Sequence, residues 1–182
     1  FLVTLSETLT SFSITGKMNL FEIPYYKFTV TEWSNQKDQI LSMVPFGDPN
    51  AKDKNITFTD YFNPNPPMYG QALMMMLDPY LQQLERAKRV TQVWCQRYKK
   101  GDFFQPHDHG AVGYSGVFYA ELHENHTPTT FFSPFADIDG FKKSFIPEVN
   151  EGDLIIFPAS ITHMAAPNYT DFDRTIFSFN II

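Results

Sequence analysis

From Val90 onward, apolar and polar positions alternate in short runs: Val90–Tyr98, Tyr114–Leu122, Thr129–Ser133, Asp153–Phe157 and Arg174–Ile182, joined by turn residues. A period of two sends successive side chains to opposite faces, so each run predicts a β-strand with one side in a core. Their spacing predicts a double-sheet jelly roll with helices packed on one side. Before Val90 the pattern differs. Asn19–Val30 carries Leu20, Phe21, Ile23, Tyr25, Tyr26 and Phe28 around Pro24, and reads as a strand whose first half Pro24 confines to an edge. A helix should follow, with Thr31 as N-cap, Glu32 in its first turn, and a stripe of Trp33, Ile40, Leu41 and Val44 ending at Pro45. The segment 46–70 reads as loop, because Pro49, Pro64, Pro66, Pro67 and several asparagines deny it any long regular element; it is a surface excursion or a substrate lid. Gln71–Lys88 returns to helical spacing through Leu73, Met74, Leu77, Leu81 and Leu84, and Pro79 either kinks that helix or starts a second one. The run Met74–Met76 reads as core filler, since no Cys or His lies near it to complete a soft metal site.

Length and composition narrow the picture. The 182 residues suit one domain, divided into an N-terminal extension at 1–17, a strand and helix support at 18–89 and a jelly-roll core at 90–182. The Ser- and Thr-rich extension precedes Met18, a candidate natural start. A mainly β fold agrees with 19 Phe and 9 Tyr. A lone Cys95 makes no internal disulfide, and with no basic, apolar leader at the start the expected compartment is the cytoplasm. A formal charge of −6 argues against nucleic acid as a partner, and no apolar run reaches membrane-spanning length. No internal repeat is present.

The candidate chemistry lies in the second half. His107 and His109 are spaced i and i+2, so on a strand both rings share a face while Asp108 points away; two imidazoles on one wall are half a metal site. His163 follows the apolar run Leu154–Phe157 and the turn residue Pro158, which would return it to the core opposite the first pair. Three ligands on one side of a metal leave positions open for reactants, and imidazole suits iron, zinc and copper alike. Arg174, Ile176, Ser178 and Asn180 share one face of the last strand. A cation projecting into an apolar barrel needs an anion, and a dicarboxylate would meet its guanidinium with two hydrogen bonds. His123 and His126 bear no fixed relation to these motifs and read as exposed turn residues.

In order and spacing, Arg97-Tyr98-x2-Gly101-x4-Pro106-His107-x-His109, then Ser115-Gly-Val-Phe-Tyr119, Gly152-Asp-Leu-Ile-Ile-Phe-Pro158, His163 and Arg174 resemble the Fe(II)- and 2-oxoglutarate-dependent dioxygenases. Residues 90–182 are most similar to the prolyl-hydroxylase-like branch and to short oxygenase-like proteins of marine phages and bacteria. The resemblance implies a double-stranded β-helix of cupin-like form, and a hydroxylase that couples decarboxylation of 2-oxoglutarate to oxidation of a small-molecule or peptide substrate. It also implies Fe(II), 2-oxoglutarate and O₂ as cofactors. By position it makes His107, His109 and His163 the metal ligands, Arg174 the partner of the remote 2-oxoglutarate carboxylate, and Tyr119 and Tyr98 further contacts of that pocket. The chain departs from the family pattern twice. His109 stands where Asp or Glu is usual, and Ile176 replaces the serine two residues after the arginine, leaving Ser178 as a candidate hydroxyl farther along. Two alternatives stay open: a three-His cupin-type dioxygenase that does not use 2-oxoglutarate, and a non-catalytic metal-binding jelly-roll module. The 63–70 loop and the 131–143 segment are candidate walls for the prime substrate.

Overall fold

The computed structural model describes residues 22–48, 50–84 and 89–182. The extension at 1–17, the start of the Asn19–Val30 segment and residues 85–88, the end of the expected Gln71–Lys88 helix, lie outside the described residues. Among the described residues ten strands and two helices form in chain order: β1 (Tyr26–Thr29), α1 (Trp33–Ser42), β2 (Phe58–Thr59), α2 (Gly70–Leu81), β3 (Val90–Tyr98), β4 (Phe104–His107), β5 (Tyr114–Glu121), β6 (Thr129–Ala136), β7 (Lys142–Phe145), β8 (Asp153–Pro158), β9 (His163–Ala165) and β10 (Arg174–Ile181). They make a six-stranded sheet, β1-β8-β5-β10-β3-β2, and a four-stranded sheet, β4-β9-β6-β7.

Two-residue alternation divides the six-stranded sheet cleanly. Phe118, Ala120, Leu154, Ile156, Phe177 and Phe179 join Trp33 and Ile40 of α1 and Leu73 and Leu77 of α2 in one buried cluster. Their neighbours Val117, Tyr119, Ile155, Phe157 and Ile176 point the other way and meet Phe131, Phe104 and Ala165 of the four-stranded sheet. The first cluster is the support, and the second is the interior of the roll. Gly116 is needed because a Cβ there would overlap the Phe179 ring on the adjacent strand.

The structure corrects several boundaries. Helix α1 begins after Glu32 rather than at a Thr31 cap and has no side-chain cap; burial anchors it instead, with Trp33 Nε1 donating to Ala120 O at 3.1 Å and the indole packed edge-on against Phe118. Pro79 lies inside the last turn of α2, and no second helix starts there among the described residues. Of the methionine run, Met76 is buried while Met75 is exposed, because one turn of helix cannot face its whole circumference inward. The expected first strand shrinks to four residues after Pro24. β2, β4, β7 and β9 have two to four residues each, too few for a period to register in sequence.

The largest correction concerns His163. It does not face the His107/His109 wall from across the roll. β4 and β9 are hydrogen-bonded neighbours, and the register sets His107 directly beside His163.

Candidate metal centre and cosubstrate pocket

His107 ends β4, His109 lies just beyond it with its backbone N–H donating to Ala159 O at 2.8 Å, and His163 opens β9. A donor atom from each lies within 4.8 Å of the others. Ring centroids are 4.3 Å apart for His107 and His163 and 5.2 Å for each of the pairs that include His109.

Hydrogen bonds decide which nitrogen each ring offers. His107 Nδ1 is 2.9 Å from Gln105 O, and His163 Nδ1 is 2.9 Å from Ile161 O. A carbonyl only accepts, so Nδ1 carries the proton in both and Nε2 keeps its lone pair. His109 Nδ1 is 2.6 Å from Asn180 Oδ1, which assigns the same tautomer. Burial, reinforced by the neighbouring His107, pushes His163 down to about 3, and burial lowers His107 as well. These two ligands are therefore neutral near pH 7, the state a metal requires. Three imidazoles whose Nδ1 atoms are each turned to a fixed acceptor, leaving Nε2 for a metal, fit a divalent transition metal such as Fe(II).

A cavity of about 230 Å³ opens at this cluster, with Trp94, Gln96, Tyr98, Thr129, Ile176 and Ser178 in its walls and Tyr61 and Phe62 in its lining as well. The guanidinium of Arg174 lies one layer deeper. It is buried at 2% exposure, donates from Nη1 to Thr127 O at 2.6 Å and from Nη2 to Ala166 O at 2.7 Å, and sits 4.6 Å from the Tyr98 ring centroid. Among the described residues no carboxylate forms an ion pair with it. Burial depresses its pKa, a direction opposed by Tyr98, Tyr119 and the more distant Asp102. Tyr119 OH donates to Thr129 Oγ1 at 2.9 Å, so Tyr119 reaches the cavity through a wall residue. A buried cation held only by neutral acceptors beside a metal-binding cavity suits a carboxylate ligand.

Residues 92–180 match the family described as "Putative 2OG-Fe(II) oxygenase". That stretch, just under half of the chain, falls within the 2OG-Fe(II) oxygenase family. No curated protein matches it. Among solved structures it is similar to a prolyl-4-hydroxylase of Pseudomonas putida (11% identity, TM-score 0.60, 86% of this chain and 91% of that one). It is also similar to HygX of Streptomyces hygroscopicus crystallised with nickel, 2-oxoglutarate and hygromycin B (12%, 0.60, 86% and 82%). A third is a prolyl hydroxylase of Trichoplax adhaerens in complex with a hypoxia inducible factor peptide fragment (10%, 0.56, 87% and 83%). Identities this low establish the fold, the double-stranded β-helix.

The fold thus gathers His107, His109, His163, Tyr98 and Ser178 at one cavity, and sets Arg174 and Tyr119 directly behind its lining. Sequence reasoning missed Trp94, Gln96 and Asn180 as site residues. The alternation of β10 carried the signal for Asn180, since it shares a face with Ser178. Two expectations are corrected. The 63–70 loop lines a separate surface groove with 90–93, and the 131–143 segment lines neither; Tyr61, Phe62, Met164 and Ala165 take those places because β9, not the β6–β7 hairpin, borders the cavity. His126 is buried rather than exposed. Its Nδ1 accepts the His123 N–H at 3.0 Å, and its Nε2 lies 2.8 Å from Thr170 Oγ1, so it bridges two loops.

Proposed function

We propose that this oxygenase is a hydroxylase in which His107, His109 and His163 hold Fe(II) through Nε2, while Arg174, assisted by Tyr119 and Tyr98, receives the remote carboxylate of 2-oxoglutarate. The single observation that carries the reading is the pairing of three Nδ1-protonated imidazoles with a buried guanidinium whose hydrogen bonds, among the described residues, go to backbone carbonyls. When bound, Fe(II) with 2-oxoglutarate supplies the oxidising power of O₂, so that substrate, 2-oxoglutarate and O₂ give hydroxylated substrate, succinate and CO₂.

The chain's own residues contribute orientation and exclusion of water. Arg174 fixes one end of the cosubstrate by charge, and the Tyr98 ring beneath the guanidinium limits its movement. Val117 and Ile176 keep the inner cavity apolar, which strengthens the ion pair by lowering the local dielectric. With His109 in place of a carboxylate, the metal unit carries one more positive charge, and the 2-oxoglutarate dianion offsets it. Ser178, 3.4 Å from Gln96 Oε1, supplies a hydroxyl to the same cavity. The prime substrate is a small molecule or a peptide that approaches past Tyr61 and Phe62.

Anaerobic titration of Fe(II) and 2-oxoglutarate into metal-free protein tests the reading. A weak visible charge-transfer band in the parent, lost in Arg174→Gln, is the expected result. Metal uptake without any band in the parent would overturn the cosubstrate assignment in favour of a three-His metal site of another kind.

A further inference from the structure

The three imidazoles are not held in the same way. His107 and His163 each donate to a carbonyl two residues upstream, Gln105 O and Ile161 O, so backbone local to each ligand sets its ring. Both also belong to strands in one ladder. His109 lies beyond the end of β4, and its Nδ1 meets a side chain 71 residues away, Asn180 Oδ1 at 2.6 Å. Asn180 sits on β10 between β5 and β3, opposite Ser115 on one side and Gln92 on the other. The hydroxyl of buried Ser115 donates to the same Oδ1 at 3.4 Å. The Trp94 indole lies 5.6 Å from the His109 ring, tilted by 31°, and bounds one side of it.

We propose that Asn180 is the positioning residue for the third metal ligand: its Oδ1 keeps His109 in the Nδ1–H tautomer and turns Nε2 toward His107 and His163. The proposal rests on the three-His metal centre set out above. Asn180 lies on a central strand of the six-stranded sheet, just before the register shift at Ile181, so His109 is referenced to the sheet rather than to its own loop. The acceptor is an uncharged amide; a carboxylate there would make His109 a stronger donor.

Cobalt(II), a redox-quiet probe with visible d–d bands, tests this in metal-free protein without cosubstrate. Dissociation constants and spectra are compared for the parent, Asn180→Leu, Asn180→Asp, His109→Ala and the double variant Asn180→Leu/His109→Ala. Asn180→Leu should weaken Co(II) about 10- to 100-fold and alter the d–d bands, as loss of a ligand's outer partner does. Asn180→Asp, which keeps the acceptor, should bind at least as tightly as the parent. In the His109→Ala background the leucine should cost nothing further, since Asn180 acts through His109. Melting of the metal-free proteins checks the fold, and Asn180→Ala is read in the same way where leucine disturbs the strand. Unchanged affinity and spectrum in Asn180→Leu, or an equal loss with and without His109, would overturn the positioning role while leaving the metal centre intact. Absence of Co(II) binding in the parent would overturn both.

Discussion

Arg174 enters the roll with its charge and, among the described residues, forms no ion pair there, Asp102 acting on it only at longer range, so a carboxylate ligand would complete it. Arg174→Gln keeps one donor for the neighbouring carbonyls and removes the charge. Charge-assisted hydrogen bonds contribute about 1.5–3 kcal/mol, so 2-oxoglutarate affinity should fall roughly 10- to 100-fold while Ni(II) affinity stays unchanged, a split that calorimetry would read. His126 makes a different kind of prediction. Burial, the largest cause, holds its pKa below the 6.5 of a free imidazole, and its Nδ1 already accepts the His123 N–H. As pH falls below about 6.5 the unfolded chain takes up a proton that the native state resists, so native stability should decline there, by at most about 1.4 kcal/mol per pH unit for this group. Urea midpoints between pH 7.5 and 5 measure that slope, and His126→Gln should make it shallower; His107 and His163, lowered in the same sense, account for what remains.

At the scale of elements, β10 joins the support to the site, because one strand turns Phe177 and Phe179 to the helices and Ile176, Ser178 and Asn180 to the cavity. A shift of one residue would exchange the two faces, so its register against β5 has to be secure. Gly116 contributes to that security by admitting the Phe179 ring over the neighbouring strand. Gly116→Ala should therefore cost about 1–3 kcal/mol through overpacking, visible as a lower urea midpoint with an unchanged slope. β4 and β9 are short, and they bring His107 and His163 together by pairing directly.

For the molecule as a whole, the proposed metal is a cross-link between two short strands and the turn after one of them. A ligand that binds only the native state stabilises it in proportion to the logarithm of its excess, about 2.7 kcal/mol at a hundredfold excess over Kd. Ni(II) should raise the melting temperature of the parent, a chelator should reverse the gain, and His163→Ala should show neither response.

The long strands were legible in sequence because a buried face repeats every second residue over eight or nine positions: β3, β5 and β10 fall within a residue of the alternation in the chain. The histidine pair, His163 and Arg174 were legible because these residue types are scarce in an otherwise apolar stretch and follow a recognisable order. Periodicity could not supply strands of two to four residues, nor the neighbourhood of His107 and His163, since pairing between short strands depends on long-range register. The same holds for Asn180 beside His109 and for His126 between two loops. Their partners lie 71 and 44 residues away, and only the packing of the two sheets and their loops brings such groups within hydrogen-bond reach.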